Sequence, residues 1–99
     1  MLRFITETSD SMLDYVKDDP VRPEIPRDFR VGRNRFVIVL GEENQPSAMV
    51  CVSLHDFVPA AVGDLNTETD QPNTAIFYTI WSYKPGAGSL LLRETVGAI

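Results

Sequence analysis

The stretch WSYKPGAGSLLL, residues 81–92, changes character halfway along its length. An apolar and aromatic run stops at Lys84 and Pro85, two glycines flank Ala87, and a leucine run typical of a helix follows. This order predicts a strand, a glycine turn and a helix start in direct succession. Such a junction presents unpaired backbone N–H groups at the positive end of the helix dipole, which suits it to phosphate binding.

Upstream of this junction the sequence predicts a few further elements. LRFITE alternates enough for a short strand, and TSDSMLDYVKDD has a capping box at Ser11 and Asp14 and one apolar side, which predicts a helix. Prolines at positions 20, 23 and 26 favour an extended loop. RFVIVL and SAMVCVSL, joined by GEENQP, predict an antiparallel hairpin, and AIFYTIWSY predicts another strong strand after a long polar connection.

Both faces of the predicted strands are largely apolar. In residues 35–40 phenylalanine, isoleucine and leucine alternate with two valines, and residues 75–83 show a similar pattern. A sheet with one face in water alternates polar with apolar residues, so this sheet requires cover on both faces. The sequence predicts only two helices, one near Met12 and one beginning near Ser89, and the sheet is expected to need more cover than these two give. The predicted fold class is α+β, with a mostly antiparallel sheet of about four strands.

Composition and charge restrict the class of protein. A chain of 99 residues is expected to form a single domain, residues 1–99. No apolar run approaches the roughly 20 residues that cross a bilayer, and MLRFITETSD lacks a signal-peptide core, so we expect a cytoplasmic protein outside the membrane. The net charge of −5 disfavours nucleic-acid binding. Cys51 is the only cysteine and is expected to be buried, and no metal site is predicted.

Five of the nine basic residues fall within VRPEIPRDFRVGRNR, residues 21–35. They are Arg22, Arg27, Arg30, Arg33 and Arg35. This arginine-rich loop has two interpretations, contact with an anionic partner or pairing with neighbouring acids such as Glu24 and Asp28. The second is favoured because such runs are most often solvated surface.

The glycine turn can be compared with the known phosphate-binding motifs. A Walker loop requires Lys-Ser or Lys-Thr after its glycines, and G-x-G-x-x-G meets Leu91 at its last glycine, so neither fits. YKPGAG, residues 83–88, instead resembles the acyl-CoA pyrophosphate loop of the GCN5-related N-acetyltransferase (GNAT) superfamily, [QR]-x-x-G-x-[GA], with Tyr83 at the first position. The order of predicted elements is also similar to the N-terminal portion of that acyl-CoA N-acyltransferase fold. The later strands and helix of the fold are absent from this sequence.

The resemblance implies acetyl-CoA or CoA as cosubstrate and roles for the matching positions. Strand-end residues would face the pantetheine arm through their backbone: Trp81, Ser82 and Tyr83. Amides in the turn would hold the pyrophosphate: Gly86, Ala87, Gly88 and Ser89. Pro85 lacks an amide N–H, so one hydrogen bond is missing, and Lys84 either approaches a phosphate or is solvated. The glycines alone also fit a tight turn, and Trp81 a core position.

Catalytic residues are harder to assign. Acyl transfer to an amine requires a base for the amine and an acid for the leaving thiolate. In the family resembled, the base is often an acidic residue on the central strands and the acid a tyrosine of the C-terminal half. Residues 75–83 contain no carboxylate, and that half is absent. The remaining base candidates are His55 and Asp56 after the third strand and Glu24 in the proline loop.

These features predict an acetyltransferase-like protein that binds acyl-CoA at the glycine turn. The amine that would accept the acyl group is not identified by the sequence. Turnover by this chain alone is expected to be small. The alternative is a non-catalytic protein-interaction module that keeps a partial acetyltransferase fold without the ligand.

The last helix and the strand before it predict association. Leu92, Val96 and Ile99, with Leu91 and Ala98 beside them, form an apolar stripe that requires burial. The outer edge of residues 75–83 has no later strand to pair with. We therefore expect either a truncated piece of a longer protein or a homodimer.

Overall fold

The computed structural model describes residues 2–42 and 45–98. Four strands carry the fold: β1 (Leu2–Ile5), β2 (Arg35–Glu42), β3 (Gln45–His55) and β4 (Thr74–Ser82). Three 3-10 helices lie in the connections, and one α-helix follows β4: Ser11–Asp18, Arg27–Arg30, Val62–Asn66 and α1 (Ala87–Ala98). The predicted α+β class and antiparallel sheet are confirmed.

The strands form one antiparallel sheet in the order β1-β2-β3-β4, so each pairs with its neighbour in sequence. β2 and β3 make the predicted hairpin, with Val37 opposite Cys51. Gly41 at its end has a φ of 154°, and a Cβ there would lie 2.5 Å from the Gln45 carbonyl oxygen. The hairpin therefore requires glycine at this position. Within the part of the chain that the structure describes, the outer edge of β4 has no partner strand.

Each face of the sheet is apolar and is covered by a different helix, as the two-faced pattern predicts. The first face packs against Ser11–Asp18 and is called the 3-10 face; its buried sheet residues are Ile5, Val37, Val39, Met49, Cys51 and Trp81. The second packs against Ala87 and Leu91 and is called the α1 face; its buried sheet residues are Ile38, Leu40, Ala48, Val50 and Val52. Cys51 is fully buried, as expected.

A β-bulge in β4 changes which side chains meet the 3-10 face. Val52 pairs with Phe77 but Cys51 pairs with Thr79, so Tyr78 is the extra residue. Phe77 packs on the α1 face, whereas Tyr78 packs against the 3-10 face. Thr79 also points to the 3-10 side, where its hydroxyl donates to the Asp19 carboxylate (2.7 Å).

The helix predicted near Met12 is a 3-10 helix with a different cap. The Asp10 carboxylate accepts from the Met12 amide (3.0 Å), so Asp10 occupies the cap position predicted for Ser11. The capping box assigned to Ser11 and Asp14 was therefore wrong by one residue. Met12, Leu13 and Val16 are buried, so the predicted apolar side is confirmed.

The buried side of α1 overlaps the predicted apolar stripe only at Leu91. Residues spaced four apart face the sheet and are buried: Ala87, Leu91 and Thr95. Leu92 and Val96, expected to be buried, are 37% and 67% exposed. The side chain of Ala98 and the whole of Ile99 lie outside the described part of the chain. The turn places Ala87 directly against the sheet, so the residues one and two turns later follow it there.

The arginine-rich loop is tied to the rest of the molecule. Four of its arginines form ion pairs: Arg22 with Glu24, Arg27 with Asp14, Arg30 with Asp19, and Arg33 with Glu68 and Asp70. The fifth, Arg35, donates Nε to the Phe29 carbonyl (2.8 Å) and lies over the Phe29 ring. The favoured interpretation, a solvated segment paired with its own neighbouring acids, is confirmed for Arg22 alone. The other three pair with acids outside the segment, Asp28 is not among the partners, and Arg30 is buried.

Candidate functional site

The glycine turn, residues 84–88, joins β4 to α1. The Ala87 amide donates to the Lys84 carbonyl (3.1 Å), and the Leu90 amide donates to the Gly86 carbonyl (3.1 Å) as the first bond of the helix. The other amides here have no acceptor among the described residues: Gly86, Gly88 and Ser89. Three of the four amides predicted to hold a pyrophosphate are therefore available, and the turn itself uses the fourth.

The two glycines of the turn differ in conformation. Gly86 has a φ of 79°, in the left-handed region that favours glycine, and a Cβ there would meet nothing within 4 Å. Gly88 lies inside α1 without a positive φ, and a Cβ there would lie 3.8 Å from the Cβ of Ser82, an ordinary contact. Gly86 is thus required by the backbone, whereas Gly88 accepts a side chain without disturbing the fold.

The end of β4 presents its backbone to two different sides. The Tyr83 amide donates to the Ser47 carbonyl (2.8 Å), so it is used in the sheet. Because hydrogen-bonded and non-bonded positions alternate in an antiparallel pair, Trp81 also bonds toward β3, while Ile80 and Ser82 point to the open edge. Of the three strand-end residues expected to face a pantetheine arm, Ser82 alone offers its backbone at that edge.

A pocket of about 420 Å³ lies between the glycine turn, the first half of α1 and the end of the β2–β3 hairpin. Lys84 and Arg93 line it together with Glu42, and Leu40 and Leu90 supply apolar wall. Neither cation forms an ion pair with any residue that the structure describes. The pocket therefore combines two positive charges and the Glu42 carboxylate with the amino end of a helix.

Three side chains form a hydrogen-bonded line beside the turn, and sequence reasoning did not find it. Trp81 Nε1 donates to the Tyr83 hydroxyl (3.0 Å), which lies 2.8 Å from a carboxylate oxygen of Asp18. Burial and the Asp18 carboxylate, against the hydrogen bond from Trp81, raise the pKa of Tyr83 to about 12. Tyr83 is thus a protonated hydrogen-bond donor at neutral pH. Asp18 is far from Tyr83 in sequence, so no local pattern marks the pair.

The base candidates do not lie at the glycine turn. His55 pairs with Thr74 at the start of β4, whose nine residues span roughly 26 Å before the turn. His55 is buried, and both ring nitrogens contact hydroxyls; Asp56 follows it and accepts from Thr69. Glu24 is exposed in the proline loop and pairs with Arg22. The structure does not bring these three together with the turn.

The described residues contain no group of three or more histidine, cysteine, aspartate or glutamate side chains placed to hold a metal ion. None of the helices in this part of the chain is long and apolar enough to cross a membrane. Comparisons with protein-family models, curated proteins and solved structures returned no match.

Proposed function

We propose that this protein binds acetyl-CoA or CoA at the glycine turn, as a cytoplasmic acyl-CoA-binding protein linked to N-acyl transfer. The observation that carries the proposal is the set of three amides without acceptors at the start of α1, beside Lys84 and Arg93. Pyrophosphate oxygens accept hydrogen bonds from such amides and are attracted by the helix dipole and by both cations.

The order of elements supports the same proposal. A strand, a helical segment, a proline loop, a hairpin, a long strand, a glycine turn and a helix follow one another as the resemblance to the GNAT superfamily implies. Pro85 lacks an amide N–H and the Ala87 amide is used within the turn, so fewer donors remain than the loop length suggests. We therefore expect modest affinity.

We expect the rate of acyl transfer catalysed by this chain alone to be low. Tyr83 holds its proton at neutral pH and can donate it, but it cannot serve as a base for an amine. Asp18 is the carboxylate that lies next to Tyr83, and it already accepts the Tyr83 hydroxyl hydrogen. Loss of general acid–base help typically lowers a rate by about a hundredfold to ten-thousandfold.

Thermal-shift titration with acetyl-CoA, CoA and ATP tests the proposal, because a ligand that binds only the folded state raises its stability. Both CoA compounds are expected to raise Tm in a concentration-dependent way, and the shift should be absent in Gly88→Glu. Gly63→Glu is the matched control, since Gly63 lies in Val62–Asn66 with nothing near its Cβ position. A full shift in a folded Gly88→Glu protein would reject the site.

A protein-interaction module is the second candidate. Leu92 and Val96 are exposed on α1, and the outer edge of β4 presents the backbone of Ile80 and Ser82. Exposed apolar side chains next to an open strand edge favour association with another chain, and a second copy is the partner proposed. An absence of any thermal response to CoA compounds would favour this candidate.

A further inference from the structure

Three charged residues line the pocket beside the glycine turn, and one of them carries the same sign of charge as a phosphate. Lys84 belongs to the turn, Arg93 lies on α1, and Glu42 is the last residue of β2. None of the three forms an ion pair with a residue that the structure describes. Glu42 therefore lines this pocket as a hydrogen-bond acceptor that neither cation neutralises directly.

The strand register places Glu42 across the pocket from the turn. Leu40 and Ser82 lie opposite the same residue of β3, Ala48, so β2 and β4 reach the pocket at the same end of the sheet. These two strands flank β3, so two strand spacings, roughly 10 Å, separate them. If a ligand's diphosphate lies on the turn amides, the ribose attached to that diphosphate is the part within reach of the Glu42 side chain.

The backbone that carries Glu42 is held by the sheet. Glu42 pairs with Gln45 across the end of the hairpin. Gly41 before it approaches β3 so closely that a Cβ would lie 2.5 Å from the Gln45 carbonyl oxygen. A charged side chain on such a rigid strand end is suited to distinguishing one ligand from another.

The chemistry of a carboxylate decides which ligand group it favours. A carboxylate accepts hydrogen bonds and has no hydrogen to donate, so it attracts hydroxyl groups and repels a phosphate. In dinucleotide-binding folds an acidic residue accepts from a ribose hydroxyl in this way. Here Lys84 and the turn amides match a diphosphate, and Glu42 matches the hydroxyls of the ribose beside it.

We propose that Glu42 determines ligand specificity at the glycine turn, so that the pocket prefers a nucleoside diphosphate with free ribose hydroxyls, such as dephospho-CoA, to one with a ribose phosphate, such as CoA. This preference rests on the proposed function, because it requires the diphosphate to lie on the turn amides. CoA still binds through its diphosphate, but its 3′-phosphate lies against the Glu42 carboxylate and weakens the complex. Arg93 is assigned to the diphosphate together with Lys84.

Calorimetric titration with CoA and dephospho-CoA tests this preference, because the two compounds differ only in the 3′-phosphate. The parent protein is expected to bind dephospho-CoA roughly fourfold more tightly than CoA, the effect of two unit charges about 5 Å apart in water. Glu42→Gln should remove the difference, and Glu42→Lys should reverse it. Glu7→Gln is the matched control and should keep it. This variant removes the same charge from an exposed residue that follows β1 at the end away from the turn.

The outcomes separate this preference from the proposed function. An unchanged ratio of the two affinities in Glu42→Gln, or tighter binding of CoA than of dephospho-CoA by the parent protein, would overturn the preference and leave the proposed function intact. Arg93→Gln should weaken both compounds by a similar factor. A loss confined to CoA would place the ribose phosphate at Arg93 and would contradict the role of Glu42. Binding of neither compound to the folded parent protein would reject the proposed function, and the preference with it.

Discussion

The Arg30 guanidinium lies 2.7 Å from the Asp19 carboxylate, and the two side chains are 1% and 0% exposed. The other Asp19 oxygen accepts from Thr79 on β4 and from the amides of Val21 and Arg22. Arg30 also donates to carbonyls of the loop that contains Pro20, Pro23 and Pro26, so the pair holds this loop against the centre of the 3-10 face. Because every oxygen and most guanidinium N–H groups have partners, the two charges are balanced despite their burial.

Removing one partner of this ion pair should strongly destabilise the fold. Arg30→Met leaves the Asp19 charge buried without its cation, and we expect a loss of about 3–5 kcal/mol in the free energy of unfolding. The double variant Arg30→Met with Asp19→Asn removes both charges and keeps an oxygen that accepts from Thr79, so part of the loss should return. Urea denaturation of the three proteins measures this. A double variant less stable than Arg30→Met alone would contradict the account.

Acid should weaken the same pair only at low pH. Although burial opposes ionisation, the hydrogen bonds from Arg30, the Arg22 amide and Thr79 lower the pKa of Asp19 below its usual value. A carboxyl with a lowered folded-state pKa contributes stability that is present above its unfolded pKa, about 3.9, and is lost as the pH falls through the folded value. The free energy of unfolding should therefore fall below about pH 4, and this fall should be smaller in Asp19→Asn.

Cys51 should react only after unfolding. Burial, partly opposed by contact with Arg30, raises the pKa of the Cys51 thiol to about 11. The thiolate is the reactive form, and the side chain is fully buried. Alkylation at neutral pH is expected to be slow in the native protein and fast in urea, and mass spectrometry follows both rates. Equal rates in the two conditions would show that the 3-10 face is not packed as described.

The Tyr83 phenol should ionise at a higher pH than a tyrosine in the unfolded chain, and the Asp18 carboxylate should contribute to this rise in pKa. The raised pKa of about 12 means that the folded state keeps the proton longer than the unfolded chain, whose tyrosines ionise near pH 10. Stability from this group is present below about pH 10 and is lost as the pH rises toward 12. In Asp18→Asn the pKa of Tyr83 should fall, because a neighbouring negative charge is removed. Ultraviolet titration of tyrosine absorbance in both proteins checks the direction.

Self-association is expected to use the outer edge of β4. Light scattering at micromolar concentration should detect a dimer in the parent protein, and Ser82→Pro should shift it toward monomer. The Ser82 amide points away from β3, so proline removes an edge donor without breaking the sheet. Val96→Glu is the companion variant on the exposed side of α1. A concentration-independent monomer mass for the parent protein would contradict this expectation.

Local patterns predicted most of the fold, because β2, β3 and β4 have long apolar runs and the breaks between and after them contain proline or glycine. The helix near Met12 was found, but its 3-10 form and its cap at Asp10 depend on packing and on a side-chain bond that the residue pattern does not distinguish. The buried side of α1 was predicted correctly only at Leu91, since the turn decides which residue first meets the sheet. A polar residue, Thr95, occupies that buried side, and apolar periodicity does not reveal it.

The candidate site was predicted only in part, because some of its residues form a local motif and others are brought to it by the tertiary fold. The glycine turn is a local motif, so the amides of Gly86, Gly88 and Ser89 were named from the sequence. Arg93, Glu42 and Asp18 reach the turn from other elements, and only the tertiary fold places them there. The Tyr83 amide was assigned to a ligand because strand pairing on that side was not known.

Chemical-shift mapping by NMR tests the central claim most directly. When CoA is added to the labelled protein, the largest amide shifts are predicted at Gly86, Gly88 and Ser89, with smaller ones at Lys84 and Arg93. The shifts should saturate with CoA concentration and weaken with added salt, because the ligand is held partly by charge. Gly88→Glu should abolish them and Gly63→Glu should not. Unchanged amides at the turn in excess CoA, or saturating shifts confined to another surface, would contradict the account.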